Sequence, residues 1–205
     1  MGATGVLAAG ALGYLLGTFP SADIATRLAT RGAVDLRTAG SGNPGATNAA
    51  QVLGTKWGIG VLIIDMAKGV VAGFVGMAVG GDGGGYLAAT TSISGHIFPV
   101  WSRFRGGKGV ATSAGACLAV FPVYFPIDLA VAAIGAVAAK QAERATQISG
   151  GVWVGAAVLW WLADLPNAWG PAPSFGLFAF AAASTVMILG KFAHARRTVL
   201  QKVGS

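Results

Sequence analysis

The chain alternates long apolar runs with short polar, glycine-rich stretches. Run length and Gly/Pro breakers mark about seven apolar segments, at 4–26, 57–79, 85–101, 110–123, 125–140, 148–164 and 173–192. Several fall short of the ~20 residues that a perpendicular helix needs to cross a bilayer core. The pair within 110–140 is divided only by Phe121-Pro122-Val123-Tyr124-Phe125-Pro126, so it reads either as two spans or as one kinked span.

Charge decides between these counts. With seven spans, one set of loops collects Arg27, Arg31, Arg37, Lys56, Arg103, Arg105, Lys108, Lys140, Arg144, Lys191, Arg196, Arg197 and Lys202. The opposite loops, near Asp82, Asp128 and Asp164, hold no Lys or Arg, and Lys68 alone among the basic residues lies inside a span rather than at its end. This is a positive-inside pattern. Six spans would put the basic residues after position 140 outside. The expected fold is therefore an all-α polytopic membrane bundle of about seven transmembrane helices, with the N-terminus outside and the C-terminus cytoplasmic. Residues 1–205 read as one domain without an internal repeat.

Composition agrees: 54% of residues are hydrophobic and 10% charged, where a soluble domain carries about a quarter charged residues. The 33 glycines suit close helix approach in lipid. The net charge of +7 is dispersed between apolar segments, so membrane lipid is the expected partner and nucleic acid is not. The opening twenty residues lack a basic n-region, which argues against a cleaved signal peptide. Cys117 is the one cysteine, lies in an apolar run and reads as a small buried hydrophobe.

Two loops hold the candidate chemistry. The first runs from Asp35 to Asn48, with Gly40-Ser41-Gly42-Asn43-Pro44-Gly45-Ala46-Thr47-Asn48 at its centre. Its glycines permit positive φ and close ligand approach, and successive exposed N–H groups in such turns bind anions. Ser41, Asn43, Thr47 and Asn48 add neutral hydrogen-bonding groups, and Arg37 adds a fixed planar cation. The bland alternative is a polar turn between helices. Gly40, Gly42 and Gly45 also spell GxGxxG, but residues 31–37 do not read as the strand that a dinucleotide fold requires.

The second loop, Gly95 to Thr112, contains Arg105-Gly106-Gly107-Lys108-Gly109 at the entry to a helix. Helix N-termini favour anions, and Arg105 and Lys108 reinforce that preference. It is not a nucleotide-binding Gly-x4-Gly-Lys-[Ser/Thr] loop, since Ser102 and Gly109 stand where glycine and a hydroxyl are needed. A positive-inside anchor explains Arg103 equally well but leaves the glycines unexplained. Trp101 and Phe104 read as interfacial belt residues.

Asp65 and Lys68, three apart in the second segment, share a helix face and can pair, either structurally or functionally. His96 and His194 are the only histidines; both fall on the inner side and can reach one cytoplasmic site. With no Cys, Asp or Glu clustered near them, no metal site is expected, and no cofactor.

At these loops the sequence resembles the bacterial membrane glycerol-3-phosphate acyltransferases that use acyl phosphate, the PlsY family. Gly40 to Asn48 is similar to the family's first signature, with Asp35 and Arg37 upstream. Gly95-His96 through Pro99 and Phe104 to Thr112 resembles the second, with Arg105 where Lys is usual. Tyr14 to Ser21 looks like the family's opening, and Asp65-Met66-Ala67-Lys68-Gly69 like its Asp-x-x-Lys-Gly element. The chain departs at one position before residue 115 and at two places beyond it. Gln51 replaces an Arg, Arg144-Ala145-Thr146-Gln147 stands where a Ser-x-x-Ser element belongs, and Arg197 replaces the Asn of His-x-x-Asn after His194.

The resemblance implies a seven-helix bundle in the bacterial plasma membrane with its active site facing the cytoplasm. It implies attack by the 1-hydroxyl of glycerol 3-phosphate on the carbonyl of an acyl phosphate, giving lysophosphatidic acid and phosphate in the first step of phospholipid synthesis. The enzyme that supplies acyl phosphate is an expected partner. Catalytic roles fall to Lys108, His96, His194 and Ser41. Substrate binding falls to Arg37, Gly42, Asn43, Gly45, Thr47, Asn48, Arg105, Gly106, Gly107, Gly109 and Thr112. Catalysis then rests on positioning and charge stabilisation rather than on a covalent acyl-enzyme. Two rivals stand beside it: a divergent paralogue that binds a phosphate metabolite or phospholipid without catalysis, and a small organophosphate transporter. Transporters commonly show internal repeats and mid-membrane binding, neither of which is visible here.

Overall fold

The computed structural model describes residues 2–130 and 142–203, with side chains for 2–130 and 146–195. Among these residues every regular element is helical and there is no strand, which removes the dinucleotide-fold reading of Gly40, Gly42 and Gly45. Helix α1 spans Ala3–Gly17 and α2 spans Ser21–Thr30. The 4–26 segment is therefore not a single helix. Pro20 has no N–H to continue the ladder and pushes the residue before it toward extended backbone, so the chain bends at residues 18–20 and restarts at Ser21.

Helix α3 (Ala46–Leu53) follows the first polar loop, and α4 (Thr55–Ile97) carries both the second and third apolar segments. α4 is two antiparallel arms. Gly81 sits at φ 64°, ψ −155°, a backbone region open to glycine and closed to L side chains. The chain reverses there, laying Gly76 against Gly84 and Ala88. Asp65 lies sixteen residues before Gly81 and His96 fifteen after it. At 1.5 Å per residue both stand about 23 Å from the turn, so the hairpin brings them level. Beyond it come α5 (Val110–Val120), helical residues 125–130 (α6), α7 (Ala142–Leu162) and α8 (Phe175–Val203). The remainder of the 125–140 segment, Lys140 included, lies outside the described residues, as do the side chains of Arg144, Arg196, Arg197 and Lys202.

Among the described residues three helical stretches are long and apolar enough to cross a membrane: Ala3–Thr30 taken across its bend, Thr55–Ser102 taken across its turn, and Phe175–Ala195. α8 runs on past the expected end at residue 192, so His194 is helical.

Small residues make the helix contacts, as lipid-embedded packing requires. Gly13 and Gly17 of α1 press on the main chain at Ala88 and Ser92, and Gly95 presses back on the Tyr14 carbonyl. Gly69 of α4 and Gly115 of α5 face each other's helices in the same way. The other half of the molecule is aromatic. Phe121 stacks on Tyr124 with centroids 5.5 Å apart, and Trp153 meets Phe180 edge-on at 5.2 Å. Cys117 is fully buried in that cluster, as its apolar surroundings imply.

A side chain at Gly115 has nowhere to go: an added Cβ would lie 1.9 Å from the Met66 carbonyl oxygen, whereas one at Gly60 meets nothing within 4 Å. Gly115→Ala should lower the thermal stability of the purified protein by about 1–3 kcal/mol through overpacking. Gly60→Ala should leave it unchanged or raise it slightly. Equal effects in thermal unfolding would contradict the close α4–α5 contact.

Candidate functional site

The site is organised around one buried carboxylate. Asp65 is 1% exposed, and its Oδ1 accepts a hydrogen bond from Ser21 Oγ at 2.6 Å. Lys68 Nζ lies 2.9 Å from the same oxygen and His96 Nδ1 3.5 Å. Lys68 also donates to the Phe19 carbonyl at 3.3 Å. The i, i+3 spacing set Asp65 against Lys68, the Gly81 turn added His96, and the Pro20 bend added Ser21 and the Phe19 carbonyl. An isolated charge at such depth is costly, and here each charge has a partner. The ring turns Nδ1 toward the Asp65 carboxylate and Nε2 away from it, toward the second loop.

The second loop folds onto that nitrogen. An added Cβ on Gly107 would lie 2.3 Å from His96 Nε2, and one on Gly106 would strike the His96 carbonyl. Gly106 N donates to the Ile97 carbonyl at 3.1 Å. Both glycines are buried, so only a bare backbone fits between the imidazole and Pro44 of the first loop.

Arg37 ties the loops together. Its NH1 and NH2 donate to the two oxygens of Asp23 on α2, at 2.5 and 3.1 Å, and its Nε donates to the Arg105 carbonyl at 2.9 Å. Asp35 lies 3.6 Å from the guanidinium. Hydrogen bonding to Asp23 raises the Arg37 pKa above its ordinary value. Two carboxylates thus offset the Arg37 charge, and its fork is directed at protein groups. Asn48 is likewise turned inward: it is 1% exposed, its Oδ1 accepts from Ser41 N at 2.8 Å, and its Nδ2 donates to the Leu36 and Ala39 carbonyls, each at 3.0 Å.

A polar cleft results, walled by Pro20, Ser21, Asp23, Arg37, Pro44, Lys68, His96, Trp101, Gly106 and Gly107. Trp101 is more than a belt residue, since its Nε1 donates to Thr18 Oγ1 at 3.0 Å across the mouth. Ser41, Gly42 and Thr47 are exposed on the first loop outside these walls, with Asn43 and Gly45 folded on each other beside them. Lys108 lies 4.0 Å above the Phe192 ring and Lys191 5.7 Å above the Phe98 ring, so α8 closes on the second loop. Gly109 precedes α5, and Thr112 is fully buried, its hydroxyl without a hydrogen-bond partner among the described residues. His194 is exposed on α8. Arg37, His96, Gly106 and Gly107 are thus brought to one cleft, whereas Ser41, Thr47 and His194 do not line it.

Beside the cleft, between α1 and the first arm of α4, runs an apolar groove of about 400 Å³ lined by Leu12, Leu15, Leu16, Ile64, Ala67 and Val71. Phe19 and Lys68 belong to both spaces. Ser21, Asp23 and Lys68 are among the cleft residues that the sequence left out of its site. Pro20 inside an apolar run was the available signal for the first two, and the intramembrane charge for the third.

Asn48 supports the first loop through three groups at once, so Asn48→Ala should destabilise the protein by about 1–3 kcal/mol. It should also make residues 36–45 sensitive to added protease. Thr47→Ala, at an exposed position, should change thermal stability by no more than about 0.5 kcal/mol. Wild-type protease resistance in Asn48→Ala would contradict the inward role of this side chain.

Comparison with known proteins identifies the family. A family model described as glycerol-3-phosphate acyltransferase matches residues 7–202. A glycerol-3-phosphate acyltransferase of Cereibacter sphaeroides is 44% identical over 137 residues, covering 65% of this chain and 67% of the relative. One from Thermoanaerobacter pseudethanolicus is 41% identical over 120 residues, covering 58% of this chain and 60% of the relative. The fold is similar to the crystal structure of PlsY, an integral membrane glycerol 3-phosphate acyltransferase, in its glycerol 3-phosphate form. That match has a TM-score of 0.73 and 28% identity, over 96% of this chain and 92% of that one. With a helical membrane fold, two glycine loops joined over a buried Asp–Lys–His centre, and a family match across nearly its whole length, this chain belongs to the glycerol-3-phosphate acyltransferase family.

Proposed function

We propose that the protein transfers an acyl group from an acyl phosphate to the 1-hydroxyl of glycerol 3-phosphate, releasing lysophosphatidic acid and phosphate. The observation that carries this reading is the sharing of Phe19 and Lys68 between the polar cleft and the apolar groove. Such a junction suits a molecule with an anionic head and an alkyl tail. An acyl phosphate has both, and its phosphate is already a good leaving group. The protein's task is then to align hydroxyl and carbonyl and to meet the charge that develops.

Within this reading the exposed Ser41, Gly42 and Thr47, with Asn43 and Gly45, receive one phosphate through hydroxyl and backbone N–H groups. Arg105 and Lys108 neutralise the other, beside the Gly106–Gly107 backbone. Gly109 and Thr112 hold the start of α5 beneath that loop. His96 orients the substrate from the cleft wall through the Gly106–Gly107 backbone that rests on it, and His194 serves as an outer proton relay. Arg37 and Asn48 act through the loops they brace.

The basic residues Arg37, Arg105, Lys108 and Lys191 gather at one end of the bundle, with Asp82 bonded to Ala172 N at the other. That distribution supports seven spans in the bacterial plasma membrane, an outside N-terminus, a cytoplasmic C-terminus and a site open to the cytoplasm. The enzyme that makes acyl phosphate is the proposed partner on that side.

The departures at Gln51, Gln147 and Arg197 favour one second reading, a paralogue that binds a phosphate metabolite or phospholipid without catalysis. Purified protein given acyl phosphate and glycerol 3-phosphate separates the two. Lysophosphatidic acid above a heat-inactivated control is expected, with Lys108→Ala lowering the rate by about tenfold or more. A folded sample that binds glycerol 3-phosphate and forms no product would establish the non-catalytic reading.

A further inference from the structure

Lys68 has an unusual position for a structural ion pair. A cation held only to neutralise Asp65 has no need to open on any cavity, yet Lys68 forms part of the wall of both the cleft and the groove. Its ammonium has three N–H donors. Among the described residues, Asp65 Oδ1 at 2.9 Å and the Phe19 carbonyl at 3.3 Å take two. The side chain is 6% exposed, so the remaining donor works in surroundings that exclude most water, where a hydrogen bond to a developing charge is strong.

The part of an acyl phosphate that lies between tail and head is its carbonyl group. With the tail along Leu12 and Leu15 and the phosphate toward Gly106 and Gly107, that carbonyl falls at the boundary marked by Phe19 and Lys68. We propose, on the acyl-phosphate reading above, that Lys68 donates its third N–H to the acyl carbonyl oxygen and stabilises the negative charge that collects there. In the step itself the glycerol hydroxyl oxygen bonds to the carbonyl carbon while the C=O π pair moves onto oxygen. That pair then re-forms the double bond as the carbon–phosphate oxygen bond breaks. Phosphate leaves with the bonding pair and takes up the hydroxyl proton; Lys68 keeps its own proton throughout. Asp65 is the positioning residue, aiming the ammonium while Ser21 and His96 hold the carboxylate.

The test is steady-state turnover of Lys68→Met beside the wild type, with acyl phosphate as donor. Loss of one oxyanion donor should lower kcat about a hundredfold and leave KM for glycerol 3-phosphate within about twofold. Lys68→Met strands a buried carboxylate, so Asp65→Asn/Lys68→Met is measured in parallel. The double variant should regain thermal stability without regaining rate. A wild-type kcat in either folded variant, or a loss confined to KM, would overturn the role of Lys68 and leave the acyl-phosphate reading standing. A wild type that makes no lysophosphatidic acid from acyl phosphate would overturn both.

Discussion

A carboxylate removed from water costs several kcal/mol unless charges and hydrogen bonds meet it. At Asp65 one oxygen receives Ser21 Oγ, Lys68 Nζ and His96 Nδ1. The three come from different places: the start of α2, the middle of the first arm of α4, and the end of its second arm. Each arrival needs its own backbone device. Pro20 breaks the first apolar segment so that Ser21 can turn inward, and Gly81 reverses α4 so that His96 returns to the level of Asp65. The second loop then lies on His96, and the first loop reaches the second through Arg37. The cleft is what remains between parts that this one carboxylate obliges to meet.

The same arrangement divides the polar residues into two kinds. Some serve the scaffold: Arg37 is compensated by Asp23 and Asp35, and Asn48 gives its amide to three backbone groups of its own loop. Others line the cleft or stand exposed beside it: Gly106, Gly107 and His96 in its wall, Lys68 at the junction with the groove, and Ser41 and Thr47 on the surface of the first loop. On the proposed acyl-transfer reading, the chemical step falls to the second kind, while the first kind fixes its geometry. Residues of both kinds stand in the same short motifs, so motif membership alone does not assign a role.

Sequence made the apolar segments, the glycine-rich basic loops and the Asp65–Lys68 pairing legible, because run length, charge and i, i+3 spacing are local properties. Level placement of Asp65 and His96 was not legible, since it depends on where the turn between two apolar runs falls, and Gly81 is one glycine among several there. The partner of Arg37 was hidden for a similar reason: Asp23 lay inside a segment read as one continuous span. Its exposure to the loop follows only from the Pro20 bend. Asn48 was read as a ligand group because a polar side chain beside glycines serves a bound anion and a loop backbone equally well. Its burial separates the two.

The most direct measurement is a structure of the protein with glycerol 3-phosphate and a non-hydrolysable acyl phosphonate. The phosphonate head is expected beside His96 and Gly107, its carbonyl oxygen within hydrogen-bond distance of Lys68 Nζ, and its tail along Leu12, Leu15 and Val71. A tail bound elsewhere in the bundle, or a head group that leaves Lys68 out of contact, would contradict the reading of the Asp65–Lys68–His96 centre as the place where the acyl group changes hands.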